Sequence, residues 1–156
     1  MHIFFSIQDI KVKEIQTSIS EFTVIQLQDE IGLAHFKITH YNKDILEFDN
    51  MLISTVLDLI AGYKRVKSFK KSFGGIFRMD ADWDWVTHIK FTFNDGKFYL
   101  VFENGKKILM SESDFLFFLR SFSTSVFSEL EMCYPRINEN VHYCELKTKA
   151  KVDLGI

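Results

Sequence analysis

The stretch that most constrains the fold runs from residue 86 to 110. Ile89, Phe91 and Phe93 alternate there with His88, Lys90 and Thr92, and Phe98, Leu100 and Phe102 share one face of the next run. A period of two marks strands with one buried face. Asn94-Asp95-Gly96 divides the first run from the second. Asn104-Gly105, the preferred pair for a two-residue type I′ turn, divides the second from a third at 106–110. Turns this short join only antiparallel neighbours. The stretch therefore predicts a three-stranded meander.

The remaining chain is read around it. Residues 2–8 read as a first strand. Val12, Ile15, Ile19 and Phe22 give 9–22 a helical stripe with Asp9 as cap. Residues 23–28 and 33–40 read as paired strands joined by a loop at 29–32. Ile45, Phe48, Leu52, Val56, Leu59 and Ile60 predict a helix over 44–61, with Gly62 at the position after its end. Residues 62–85 read as irregular, with Gly74-Gly75 as a flexible joint. Ser111 caps a helix carrying Phe115, Leu119, Phe122, Val126 and Leu130, which Tyr134-Pro135 ends. Residues 141–147 read as a short strand and 147–151 as a frayed basic tail. This order predicts a single α+β domain over 1–156. Its antiparallel sheet contains the C-terminal-half meander and is packed by two or three helices.

Composition fits one core. The chain has 156 residues, 47% of them apolar, with 17 Phe against one Pro and a net charge of −2. Those figures exclude intrinsic disorder and a disulfide-stapled mini-fold. Phe22, Phe48, Phe91, Phe93, Phe98, Phe102, Phe115 and Phe122 fall on apolar faces, so the Phe excess reads as core. Met1 to Asp9 lacks the positive start of a secretory signal. No run approaches the ~18 apolar residues of a membrane span. Two cysteines, Cys133 and Cys144, suit a reducing compartment. A cytoplasmic protein without membrane contact is expected.

Known chemistries find little support. Asp80, Asp82 and Asp84 imitate the start of a calcium loop, but Trp85 and Phe91 stand where that loop needs Gly and Glu. Cys133, His142 and Cys144 lack a fourth ligand with zinc spacing. Gly74-Gly75 lacks the glycine spacing and Lys-Ser/Thr of a P-loop. No nucleophile elbow occurs. His35 and His88 lie opposite the apolar positions of their strands and are expected at the surface, where such a pair could do acid–base work. No catalytic residue, metal or cofactor is expected.

Two surface candidates remain. Lys64, Arg65, Lys67, Lys70, Lys71 and Arg78, interleaved with Tyr63, Phe69, Phe73 and Phe77, could bind an anion or, with His88, an RNA. Val66, Phe69 and Phe73 also suit an amphipathic helical turn packed on the core, and that is the favoured reading of the segment. Asp80, Asp82, Trp83, Asp84 and Trp85 combine carboxylates that steer with aromatics that anchor, which suits a cationic partner, although both tryptophans in the core with the aspartates solvating a strand edge is the favoured alternative. The outward meander face, with His88, Lys90, Thr92, Tyr99 and Lys97, is expected to be wet or a binding surface.

A small, Phe-rich, catalytically bare α+β chain with a hairpin at Phe93-Asn94-Asp95-Gly96-Lys97 and the run Asp80-Ala81-Asp82-Trp83-Asp84-Trp85 resembles the immunity proteins of bacterial polymorphic toxin systems, including contact-dependent growth inhibition. That resemblance implies a non-enzymatic protein that binds a cognate toxin domain, often a nuclease, and blocks its active site. Members of that class are commonly more acidic than this chain. The other readings are a small RNA-binding or RNA-cleaving protein using 64–78, and a secretion chaperone or adaptor.

Overall fold

The computed structural model describes residues 1–8, 15, 17–69, 74–79 and 85–156, and of 77–79, 85 and 86 the backbone alone. Strands β1 (His2–Ile7), β2 (Leu33–His40) and β3 (Lys43–Met51) form one antiparallel sheet in that order. Strands β4 (Gly74–Met79), β5 (Trp85–Asn94), β6 (Lys97–Phe102) and β7 (Lys107–Ser111) form a second. The helices are α1 (Val24–Asp29), α2 (Leu52–Phe69), α3 (Glu112–Cys133) and α4 (Val141–Leu154), with 3₁₀ turns at Ile19–Glu21 and Pro135–Glu139. The fold is α+β, and the expected meander is present as β5–β6–β7, extended by β4. No helix among the described residues is long and apolar enough to cross a membrane.

Several local expectations are corrected. Residues 24–29 are helical, not a strand, because Thr23 and Gln26 form a reciprocal capping box. The helix expected over 44–61 is two elements. Leu46, Phe48 and Asn50 point inward from β3 while Glu47 and Asp49 point out, and the helix begins only at Leu52. Helix α2 then runs through Gly62 to Phe69, so Gly62 ends nothing, and Gly74-Gly75 opens a strand. Residues 141–147 and the supposed tail are α4, whose start Asn140 caps by accepting from Tyr143 N at 2.9 Å. Asn104 does not take positive φ and Gly105 does (80°). Gly105 N donates to Phe102 O and Phe102 N to Lys106 O, the pattern of a three-residue bulged loop. The helix expected over 9–22 falls mostly outside the described residues.

Helix α3 holds the two sheets together. Ser111 caps it, accepting from Asp114 N at 3.1 Å, and Glu112 and Asp114 sit favourably in its first turn. Phe115 packs on Phe91 and Phe98 of the second sheet, and Phe122 on Phe5 and Phe36 of the first. Ring contacts pass without a break from Phe93 and Phe98 through Phe115, Phe118 and Phe122 to Phe36 and Phe48, with centroids 4.2–6.2 Å apart. Of the eight Phe expected in the core, seven are buried and Phe93 is half-buried. Among the described residues no backbone hydrogen bond joins the sheets. Side chains bridge them instead. Asn104 Nδ2 donates to Ile45 O at 2.6 Å and Lys106 Nζ to Asp44 O at 2.7 Å.

Candidate functional site

Asp80, Asp82, Trp83 and Asp84 lie outside the described residues. Trp85 opens β5, its backbone paired with Met79. The basic set is divided. Lys70 and Lys71 lie outside the described residues, and Arg78 pairs its backbone with Val86 in β4. Lys64, Arg65 and Lys67 stand on α2. Lys64 Nζ reaches Asp153 Oδ1 at 2.6 Å, and Lys67 Nζ reaches Glu112 Oε1 at 2.5 Å while lying 4.8 Å over the Phe93 ring. These two cations are therefore partnered by carboxylates within the fold. That leaves less free charge for a phosphate backbone.

The outward face of the meander is a three-by-three grid. Cross-strand register aligns Lys90, Val101 and Lys107 in one row, Thr92, Tyr99 and Leu109 in the next, and Asn94, Lys97 and Ser111 in the third. Paired residues share a face. The opposite face, with Ile89, Phe91, Phe98, Leu100, Phe102 and Ile108, is buried in the core. On the outward grid Tyr99, Val101 and Leu109 are 42%, 38% and 51% exposed, although all three are large and apolar. Lys90, Lys97 and Lys107 surround them in the exposed class, and none of the nine positions is a carboxylate. An apolar centre flanked by cations suits contact with a protein surface that is apolar at its middle and acidic at its rim. Sequence alternation exposed Lys90, Thr92, Lys97 and Tyr99. The third strand, with Lys107 and Leu109, completes the patch, and cross-strand register is what brings it there.

The histidines do not converge. His35 is half-buried on the first sheet, its Nδ1 2.9 Å from Asp49 Oδ1 and its Nε2 3.8 Å from Glu47 Oε2. Beside it Lys37 Nζ contacts Asp44 at 2.7 Å and Glu47 at 3.1 Å, and these hydrogen bonds raise the lysine pKa. His88 lies on the other sheet. It was expected at the surface, but it is buried because Phe48 stacks on its ring at 4.4 Å, while Nδ1 meets Glu103 Oε2 at 2.9 Å. An acid–base pair of His35 and His88 is thus not assembled. His40 flanks a cleft of about 510 Å³ between the β2–β3 turn, β7 and α3, lined also by His2, Asn42, Leu109, Asp114 and Phe117. Burial lowers the His40 pKa, and its Nδ1 is buried without a hydrogen bond. The adjoining turn places Tyr41 and Asn42 at φ 49° and 61°, with the Tyr41 ring 86% exposed. An aromatic residue in that region is strained, and its exposed ring offers a contact that burial does not explain. No group of three metal-ligating side chains occurs among the described residues.

Neither a family model, nor a curated protein, nor a solved structure matches this chain.

Proposed function

We propose that the chain is a non-enzymatic binding protein of the immunity type, which neutralises a cognate toxin domain by covering its active site. The observation that carries the reading is the outward meander face, where Tyr99, Val101 and Leu109 stay exposed inside a ring of Lys90, Lys97 and Lys107. A few anchors, Tyr among the commonest, supply most of the binding energy at protein interfaces, and the surrounding charges set orientation and association rate. Trp85, the last residue of the acidic-aromatic run, opens β5, the strand that gives Lys90, Thr92 and Asn94 to the three rows of the grid. An RNA-directed role is the weaker reading. The grid holds a single aromatic ring for stacking, and Lys64 and Lys67 already have carboxylate partners.

Co-expression with the product of the adjacent gene tests the reading. Restored growth and a one-to-one complex are expected. An adjacent product that is not toxic, or a toxic one that this chain neither binds nor silences, overturns it. Within such a complex, Tyr99→Ala combined with Lys90→Glu and Lys107→Glu should weaken binding roughly a hundredfold. Thermal unfolding should stay unchanged, because all three side chains are exposed. Unaltered affinity removes the meander from the interface.

A further inference from the structure

Strand β7 ends the second sheet, so one of its edges has no neighbouring strand. The phase of the ladder fixes what that edge presents. Phe102 N donates to Lys106 O at 2.9 Å and Glu112 N to Gly96 O at 3.3 Å, and both pairs continue the register that matches Leu100 with Ile108 and Phe98 with Met110. Bonded pairs alternate with unbonded ones in an antiparallel ladder. Ile108 and Met110 therefore turn their N–H and C=O groups toward β6, and Lys107 and Leu109 turn theirs away. Among the described residues nothing bonds to those outward groups. The outer side of β3 is occupied by contrast, since Asp44 O and Ile45 O accept from the Lys106 and Asn104 side chains.

The cleft of about 510 Å³ runs along this open edge. Leu109 and Met110 point to opposite faces of the sheet, yet both line the cleft, so it passes beside the strand and not over one face. Phe117 of α3 and Tyr41 of the β2–β3 turn line it too, with rings 72% and 86% exposed. Unpaired main-chain groups along a strand are matched by another extended main chain. Lys107 and Leu109 also form one column of the outward grid, so a partner seated on the grid reaches this edge. We infer that the toxin domain adds a strand to β7. The inference rests on the immunity reading and extends it from side chains to backbone. Side chains alternate along the added strand. Its residue beside Lys107 is acidic and its residue beside Leu109 apolar, matching the grid. Its residue beside Met110 enters the cleft next to Phe117 and is apolar as well.

Residue-resolved amide exchange, measured by NMR on the free protein and on its complex with the toxic product of the adjacent gene, tests this. The Lys107 and Leu109 amides should exchange fast in the free chain and at least about tenfold slower in the complex, while those of Ile108 and Met110 stay slow in both. A complex in which Lys107 and Leu109 exchange as they do in the free chain overturns the inference and leaves the meander reading standing. Absence of any complex overturns both. Protection of the two amides in the free chain at high concentration assigns the edge to a second copy and also overturns the inference. Leu109→Pro removes an outward N–H without breaking a bond to β6. It should weaken the complex about tenfold more than Leu109→Ala does, and equal losses from the two variants overturn the inference.

Discussion

Replacing Gly62 with alanine sets two opposing effects against each other, and the packing of α2 on β4 decides the sign. In a helix with open space the change is favourable by about 1 kcal/mol. At Gly62 a new Cβ would lie 2.7 Å from Phe91 Cζ, 2.9 Å from Gly74 Cα and 3.0 Å from Gly75 N. Two of those three atoms belong to the backbone of β4, so no change of rotamer clears them. The helix and strand must move apart, and the rings packed beneath both lose contact. Overpacking costs about 1–3 kcal/mol, and a backbone obstacle argues for the upper end of that range. Subtracting the gain in helix propensity leaves a net loss of about 2 kcal/mol. With a urea slope of about 2 kcal/mol per molar, the unfolding midpoint should fall by about 1 M. Ala61→Gly, at the exposed neighbouring position, serves as the control and should cost about 1 kcal/mol through propensity alone. A Gly62→Ala protein as stable as the parent, or more so, would refute the close approach. Gly74→Ala should behave alike, since its Cβ would meet Phe91 Cε2 at 2.6 Å and Gly62 Cα at 2.7 Å. Phe91→Leu should relieve part of that second penalty.

Other consequences concern single polar groups. Asn140 is buried, and its Nδ2 donates to both Ile19 O and Phe22 O at 2.8 Å while its Oδ1 caps α4. Asn140→Ala loses the cap and orphans two carbonyls, so equilibrium denaturation should show a loss of about 3 kcal/mol, and a loss below about 1 would disprove the bridging role. His40 has its pKa lowered from the ordinary 6.5 by burial, so the unfolded chain takes up that proton at higher pH than the folded one. Stability should therefore fall as pH drops from about 7 through the folded pKa, and His40→Gln should flatten that slope in urea midpoints measured against pH. An unchanged slope would show that the imidazole is freely solvated.

What the sequence made legible follows from how local each cause is. The meander was readable because its strands alternate cleanly and Gly96 and Gly105 mark the turns. The Ser111 cap and the Pro135 stop are likewise written in adjacent residues. Residues 44–51 misled because Ile45, Phe48 and Leu52 also fit a helical stripe, while inward-facing Asn50 broke the strand alternation. Helix α4 was missed because Val141, Cys144 and Val152 on one side and Tyr143, Ala150 and Leu154 on the other blur any single stripe. The capping box at Thr23 and Gln26 is a signal present in the sequence, but Ile25 and Leu27, two residues apart, also fit one face of a strand. His88 was beyond local reading altogether, since the group that buries it is Phe48, forty residues earlier. The candidate site was half legible. Lys90, Thr92, Lys97 and Tyr99 on β5 and β6 could be read from alternation, but the register that adds Leu109 and Lys107 could not.

The chain of rings through α3 has a consequence for cooperativity. Neither sheet has an interior of its own, because the helix lends Phe115 to one and Phe122 to the other and joins them through Phe118. Separating the sheets would expose one end of the ring series on each side, which favours their unfolding together.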